Sequence, residues 1–285
     1  MREVLPLLGI ALAILLGGLL VYRWVFPEDA VLGLVVHHVE GEVHHVGEEG
    51  LKGAVVGDVV GVAQRIQVGE AGGVQLLFGE NTRMRLEANS SLEVVGADAE
   101  GLEVELEEGR VHATVRPGSP AIGVVARDRS VRTRNGRFGI ALDDRGATSV
   151  EVQEGTVALS GFGEVRALAD GERVIVTEGG SPLQGEIPSS LVLNVDWPPA
   201  ERTRASKAIV RGQTEPGAQI SVTGGQSEVG TVADDQGEFA LEVPLAEGLN
   251  ALDLLARSVM GREEEGHFEV IKDSQAPTAE FEIRY

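Results

Sequence analysis

The chain has 285 residues, 42% hydrophobic and 24% charged, a balance that supports packed cores and excludes a chain disordered throughout. Its formal net charge of −21 excludes a nucleic-acid partner, because phosphate binding needs concentrated Lys and Arg. Cysteine is absent, which excludes disulfides, thiolate metal sites and a cysteine nucleophile, while 38 glycines against 4% aromatics point to short aliphatic strands punctuated by tight turns.

In chain order, the first feature is the run VLPLLGIALAILLGGLLVY from Val4 to Tyr22, which carries no charge. About twenty apolar residues are what a helix needs to cross a bilayer. Arg23, Trp24 and Phe26 follow as a cationic and aromatic belt, and Pro27 closes the helix. A cleaved signal peptide would require small residues where Arg23 to Phe26 stand. The expectation is therefore a cytoplasmic stub over 1–3, a single transmembrane anchor over 4–26 (Val4 to Phe26) and a juxtamembrane segment over 27–33. Arg2 and the amino terminus against Arg23 favour the N-terminus inside, which puts the remaining chain outside the cytoplasm of a bacterial inner membrane.

Beyond Pro27 come VVHHVEGEVHHV, VQLLF, LEVEL, RVHATV, SVEVQ and ERVIVT, short β-branched segments bounded by Gly, Asn or Asp. Turn signals about every ten residues predict an all-β roll or sandwich. A motif recurs in Glu40-Gly41-Glu42-Val43, Glu108-Gly109-Arg110-Val111 and Glu154-Gly155-Thr156-Val157, each glycine expected to start a strand through a left-handed turn or bulge.

The order GEVHHV, VGDVV, VQLLFGENTRMRLEANSSLEVV, LEEGRVHATV, GRFGIALDDRGATSVEVQEGTVAL and LADGERVIV resembles the FecR domain of bacterial envelope proteins over 34–183. Its most specific part is Gly136-Arg137-Phe138-Gly139-Ile140, followed by Thr148 to Val152 and Glu154-Gly155-Thr156-Val157. The resemblance implies a FecR-like β-roll or β-sandwich in an extracytoplasmic compartment. Members of that family carry a cytoplasmic anti-sigma segment before the membrane helix. Here only Met1, Arg2 and Glu3 occupy that place, so the resemblance implies the domain and its compartment rather than control of a sigma factor.

The stretch GGSPLQGEIPSS between Gly179 and Ser190 reads as a boundary, with the linker at 184–190. Over 191–285 the segments LVLNV, KAIVRG, QISVTG, GTVA, GEFALEVPL, NALDLLARS and HFEVI predict a second β-sandwich. Its turns, with Glu215-Pro216-Gly217-Ala218 placed for a type II turn and Asp234-Asp235-Gln236-Gly237 for a hairpin, resemble bacterial Ig-like modules.

Chemistry is sparsely signalled. His37, His38, His44 and His45 offer imidazoles, and His38 with His44 form the candidate metal pair; on one extended strand they would stand about 20 Å apart, so only a tight turn at Gly41 could unite them. Asp234 to Glu238 lacks the alternating acids of a calcium loop. Glu263-Glu264-Glu265 reads as a solvated loop. No nucleophile elbow, metalloprotease helix or phosphate loop occurs, and no cofactor is expected. The sequence thus predicts a non-enzymatic, membrane-anchored envelope protein that binds or scaffolds another envelope protein, glycan or peptidoglycan. The alternatives are a transmembrane signal relay and a glycan-binding accessory protein, for which Trp197 is the stacking candidate.

Overall fold

A computed structural model describes residues 33–47, 50–198 and 202–274. Period-two alternation drives its architecture. In the segment Thr82–Leu86, Thr82, Met84 and Leu86 are buried while Arg83 and Arg85 face water, because successive side chains of a strand point to opposite faces. Among the described residues, sixteen strands build the first region. They are β1 (Leu34–Glu40), β2 (Val43–Gly47), β3 (Gly50–Gly53), β4 (Val59–Val60), β5 (Arg65–Val68), β6 (Gly73–Phe78), β7 (Thr82–Leu86) and β8 (Ser90–Ala97). After them come β9 (Gly101–Val115), β10 (Ala121–Ala126), β11 (Arg129–Thr133), β12 (Gly136–Leu142), β13 (Thr148–Ser160), β14 (Ala167–Ala169), β15 (Glu172–Val176) and β16 (Leu183–Glu186).

These strands form two layers. One runs β4-β1-β6-β7-β9-β12-β13-β15-β16, the other β3-β2-β5-β8-β9-β10-β11-β13-β14. The long strands β9 and β13 belong to both. Residues up to Glu108 of β9 pair with β8 and β10, whereas Gly109 to Val115 pair with β7 and β12. In β13 the division falls at Gly155.

Both crossing points are the glycines of the recurring motif. Gly109 and Gly155 each have φ +86°, and Gly41, between β1 and β2, has φ +63°. Gly41 precedes its strand as the sequence suggests; Gly109 and Gly155 instead lie within theirs, bending one continuous strand from layer to layer. The position is crowded as well as left-handed, since a Cβ at Gly109 would sit 2.2 Å from Ser90 Oγ and 2.4 Å from the Asn89 carbonyl oxygen. Between the layers lie Met84, Leu86, Phe138 and Ile140 from one side and Ile66, Leu92, Leu106 and Ile122 from the other, all fully buried. Each such side chain stabilises the roll by about 1.5–3 kcal/mol, which offsets the loss of chain freedom.

The second region holds β17 (Asn194–Asp196), β18 (Arg202–Thr203), β19 (Lys207–Gln213), β20 (Gln219–Thr223), β21 (Val229–Val232), β22 (Glu238–Pro244), β23 (Gly248–Arg257) and β24 (Glu263–Lys272). They make two sheets, β17-β19-β22 and β18-β24-β23-β20-β21. Val210, Leu241 and Val243 from the first meet Ile220, Val222, Leu252 and Leu254 from the second in a core separate from that of the roll.

The chain is therefore all-β over the described residues, which include no helix long and apolar enough to cross a membrane. The anchor expected over 4–26 lies outside the described residues. Two local expectations change. The stretch read as a linker at 184–190 begins as part of β16, an edge strand on β15 whose pairing runs from Leu183 to Glu186. Glu263 to Glu265 are exposed but are not a loop: they pair with Arg257, Ala256 and Leu255 as the start of β24. Backbone pairing leaves their outward carboxylates solvated, so composition alone does not separate strand from loop there.

Candidate functional site: the junction between the β modules

The clearest constructed feature outside the two cores is the contact between them. On β12 and β13 the residues that point away from the roll core should be wet, as Arg137 and Glu154 are; further along both strands they are buried. Ser149 and Glu151 are 0% and 3% exposed, and Ala141 is 1% exposed. The second module covers them.

Two loops make that cover. The β23–β24 hairpin tip is closed by Ser258, whose N–H donates to the Arg262 carbonyl (2.8 Å) and whose hydroxyl accepts the Arg262 N–H (2.9 Å). It presents Val259 and Met260, which pack with Ala141 and Ala147 as a small apolar cluster apart from both cores. The other loop is the turn from Glu215 to Ala218. The Ala218 N–H donates to the Glu215 carbonyl at 3.1 Å and Gly217 has φ +73°, the type II geometry read from Pro216-Gly217. A Cβ on Gly217 would stand 3.2 Å from both Ala147 and Val259.

Small residues on the roll seat these loops. At Gly139 a Cβ would meet Met260 Cε at 2.7 Å and His112 Nδ1 at 2.9 Å, so the glycine within GRFGI permits the close approach. Beside that seat, Glu151 on β13 and Arg173 on β15 are cross-strand partners. Arg262 Nη2 donates to both oxygens of Glu151, at 2.6 and 2.5 Å. Arg173 Nη1 donates to Glu215 Oε1 at 2.7 Å. The roll thus supplies one acid and one base, and the second module supplies their complements. Charge-assisted bonds of this kind fix relative placement, since any shift would strand a buried charge.

A third cluster borders the junction. Glu87 accepts hydrogen bonds from Arg110 Nε at 2.8 Å and His112 Nε2 at 3.0 Å, and Gly261 lies against the Arg110 guanidinium. The His112 bond is the largest cause holding the Glu87 carboxyl down at about 2; burial opposes it and Arg110 reinforces it. Arg110 also lines a cleft of about 200 Å³ between the modules, with Asn89, Glu108, Asp143, Gln219 and Arg257. Burial raises the Asp143 carboxyl above its ordinary value, although the N–H groups of Ala147 and Arg145 that bind it pull the other way.

The histidine pair is not assembled. A bulge between Val36 and His38 in the β1–β6 ladder leaves both His37 and His38 exposed, and His38 Nε2 lies 3.1 Å from its neighbour Glu40. His44 lies beyond Gly41 on β2, where the turn has passed the chain to the other layer, and its Nε2 is 3.7 Å from Glu42 Oε1. Among the described residues no three His, Asp or Glu side chains are grouped to hold a metal. His45, given no separate role by sequence reasoning, is the buried one, with Nε2 2.9 Å from Gln64 Oε1 and Nδ1 3.8 Å from Asp58. Asp234 closes a turn, its Oδ1 accepting the N–H groups of Gln236 and Glu238. Trp197 stacks on Phe268 with ring centroids 5.3 Å apart, which occupies one face of the indole.

Sequence reasoning missed Glu151, Arg173, Glu215 and Arg262. Two signals were present: adjacent apolar residues, Val259 and Met260, in a hairpin turn, and glycine inside the strand GRFGI.

Comparison with known proteins gives residues 64–158 as a match to the FecR family, described as FecR protein. That span runs from the start of β5 nearly to the end of β13 and contains both layer-crossing strands; over it the chain is similar to the FecR family. No curated protein matches the chain. Among solved structures, a candidate anti-sigma factor from Parabacteroides distasonis, represented by two crystal structures, is 21% identical over 43% of this chain and 59% of that one, with a TM-score of 0.39. The match thus spans less than two thirds of that protein's length. A tetra-tandem repeat from the extending region of a large adhesion protein aligns over 86% of this chain and 68% of its own at 13% identity, with a TM-score of 0.27.

Proposed function

Proceeding from the FecR domain over residues 64–158, we propose that this chain is a non-enzymatic envelope protein, held at the inner membrane by Val4 to Phe26. On this reading its β modules stand outside the cytoplasm and bind another envelope component, a protein or a glycan such as peptidoglycan. We read the second module as Ig-like. Its sheets, β17-β19-β22 and β18-β24-β23-β20-β21, follow the A-B-E and G-F-C-C′ orders of that sandwich, with the first strand divided between them.

The observation that carries the proposal is the junction. Desolvated pairs Glu151–Arg262 and Arg173–Glu215 join the FecR domain to its neighbour, so a load or ligand taken up by one module acts on the other. The shifted carboxylates beside the junction serve structure in this reading: Glu87 binds Arg110 and His112, and Asp143 holds the turn that ends at Ala147. The same coupling supports the second reading, a signal relay in which engagement of the outer module changes the state of the membrane helix.

Crosslinking the full chain in intact envelope, followed by pull-down, tests the first reading; a partner recovered in wild type and lost when the junction is broken is the expected result. Cleavage of the C-terminal region by protease in spheroplasts checks the compartment. Full protection until lysis would reject the proposed topology.

A further inference from the structure

Among the described residues, four of the nine large apolar side chains that face water fall within 51–62: Leu51, Val55, Val56 and Val62, 62%, 60%, 64% and 52% exposed, whereas the others, Val192, Ile209 and Leu249 of the second module among them, are scattered along the chain. They share a location. Leu51 is on β3, the edge of one layer, and β4, the edge of the other, is flanked by turns bearing Val55, Val56 and Val62. All four therefore border the open side of the roll, at the opposite end of the layers from β13 and β15, where the second module attaches.

These turns do not need valine. The first is closed by the Asp58 N–H donating to the Val55 carbonyl (3.0 Å) and by Asp58 Oδ2 accepting the Val55 N–H (3.2 Å). In the second, Gln64 N–H donates to the Gly61 carbonyl (3.1 Å) and Gln64 Oε1 accepts the Gly61 N–H (3.0 Å). Polar groups fix both turns, and their central positions, usually Gly, Asn, Asp or Ser, instead hold Val56 and Val62 out to solvent. Neither side chain joins the core. The nearby cation Lys52 is 3.7 Å from Asp58, which also lies 3.8 Å from His45, so the patch attracts through apolar area rather than charge.

The same side receives the chain from its N-terminal part. Gly33 rests against the Val60 carbonyl, and Leu34 pairs with Val60. From Phe26 to Gly33 the covalent chain reaches about 25 Å at most. An anchor ending at Phe26 therefore holds this edge close to the lipid headgroups, whichever way the roll turns.

We propose that the edge from Leu51 to Val62 is a membrane-contact surface whose Leu and Val side chains enter the interfacial zone of a phospholipid bilayer, fixing the orientation of the FecR domain on the membrane. This rests on the membrane-anchored reading above. Apolar contact of this kind persists in neutral lipid and in high salt, unlike attachment through basic residues.

Because the chain has no cysteine, the test is direct. Full-length Val56→Cys and Val62→Cys, with Glu228→Cys on the second module as reference, are labelled with an environment-sensitive fluorophore and reconstituted into phosphatidylcholine vesicles with or without brominated acyl chains. The expected result is several-fold stronger bromine quenching at 56 and 62 than at 228, unchanged by molar salt. Protein that floats with the vesicles but is quenched equally at all three sites overturns the proposal and leaves the anchor standing. Protein that does not float overturns the anchor and, with it, this surface. Label burial that rises with protein concentration and ignores the lipid assigns the edge to a second copy of the chain instead.

Discussion

Glu151 and Arg262, 111 residues apart in sequence, meet through one guanidinium nitrogen that donates to both carboxylate oxygens. Their side chains are 4% and 21% exposed, so each is the other's principal compensation for leaving water.

Removing one partner from such a pair costs about 3–5 kcal/mol, because the other charge stays buried. Arg262→Ala, which strands the more deeply buried Glu151, is expected to fall in the lower part of that range. Adding Glu151→Ala to it should recover part of the loss. Urea denaturation of the wild type, both single variants and the double variant gives the coupling; a value near zero would show that the contact contributes placement without stability.

Gly109→Ala combines a left-handed backbone with a collision against Ser90 and Asn89, and a strained backbone of this kind alone costs about 1–3 kcal/mol. Gly50 has φ +95° but nothing within 4 Å of an added Cβ. Gly50→Ala should therefore lower the melting temperature less than Gly109→Ala. Equal losses would mean that the collision is relieved at no cost and that only the backbone angle matters.

Gly139→Ala should loosen the seat of Met260 and lower stability by about 1–3 kcal/mol, the usual cost of overpacking. Shortening the opposing side chain with Met260→Ala in the same molecule should offset part of that loss. If the two effects simply add, the hairpin tip does not press on Gly139.

Glu87 gives a signed pH dependence. Its carboxyl titrates at about 2 in the folded chain against 4.5 for an ordinary glutamate. The stabilisation from its ionised form is complete above about pH 4.5 and is lost as pH falls toward about 2. Glu87→Gln should lower stability at neutral pH, and the gap to wild type should close on acidification over that interval. Stability curves of the two proteins that stay parallel through it would refute the pairing with His112 and Arg110.

Much of this fold was legible before any coordinates. The period-two runs marked strands such as Thr82–Leu86, Pro216-Gly217 marked its turn, and the repeated Glu-Gly-x-Val marked the corners, because backbone sterics and strand periodicity act within a few residues and leave a local trace. Glu263 to Glu265 escaped because a strand with solvated side chains and a loop have the same composition. What only the tertiary structure decided is which distant residues meet. His38 and His44 are near in sequence yet pass to different layers at Gly41, while Glu151 finds Arg262 and Arg173 finds Glu215 across a junction. Partnership between ions depends on distance and desolvation in space, and a residue's sequence neighbours encode neither.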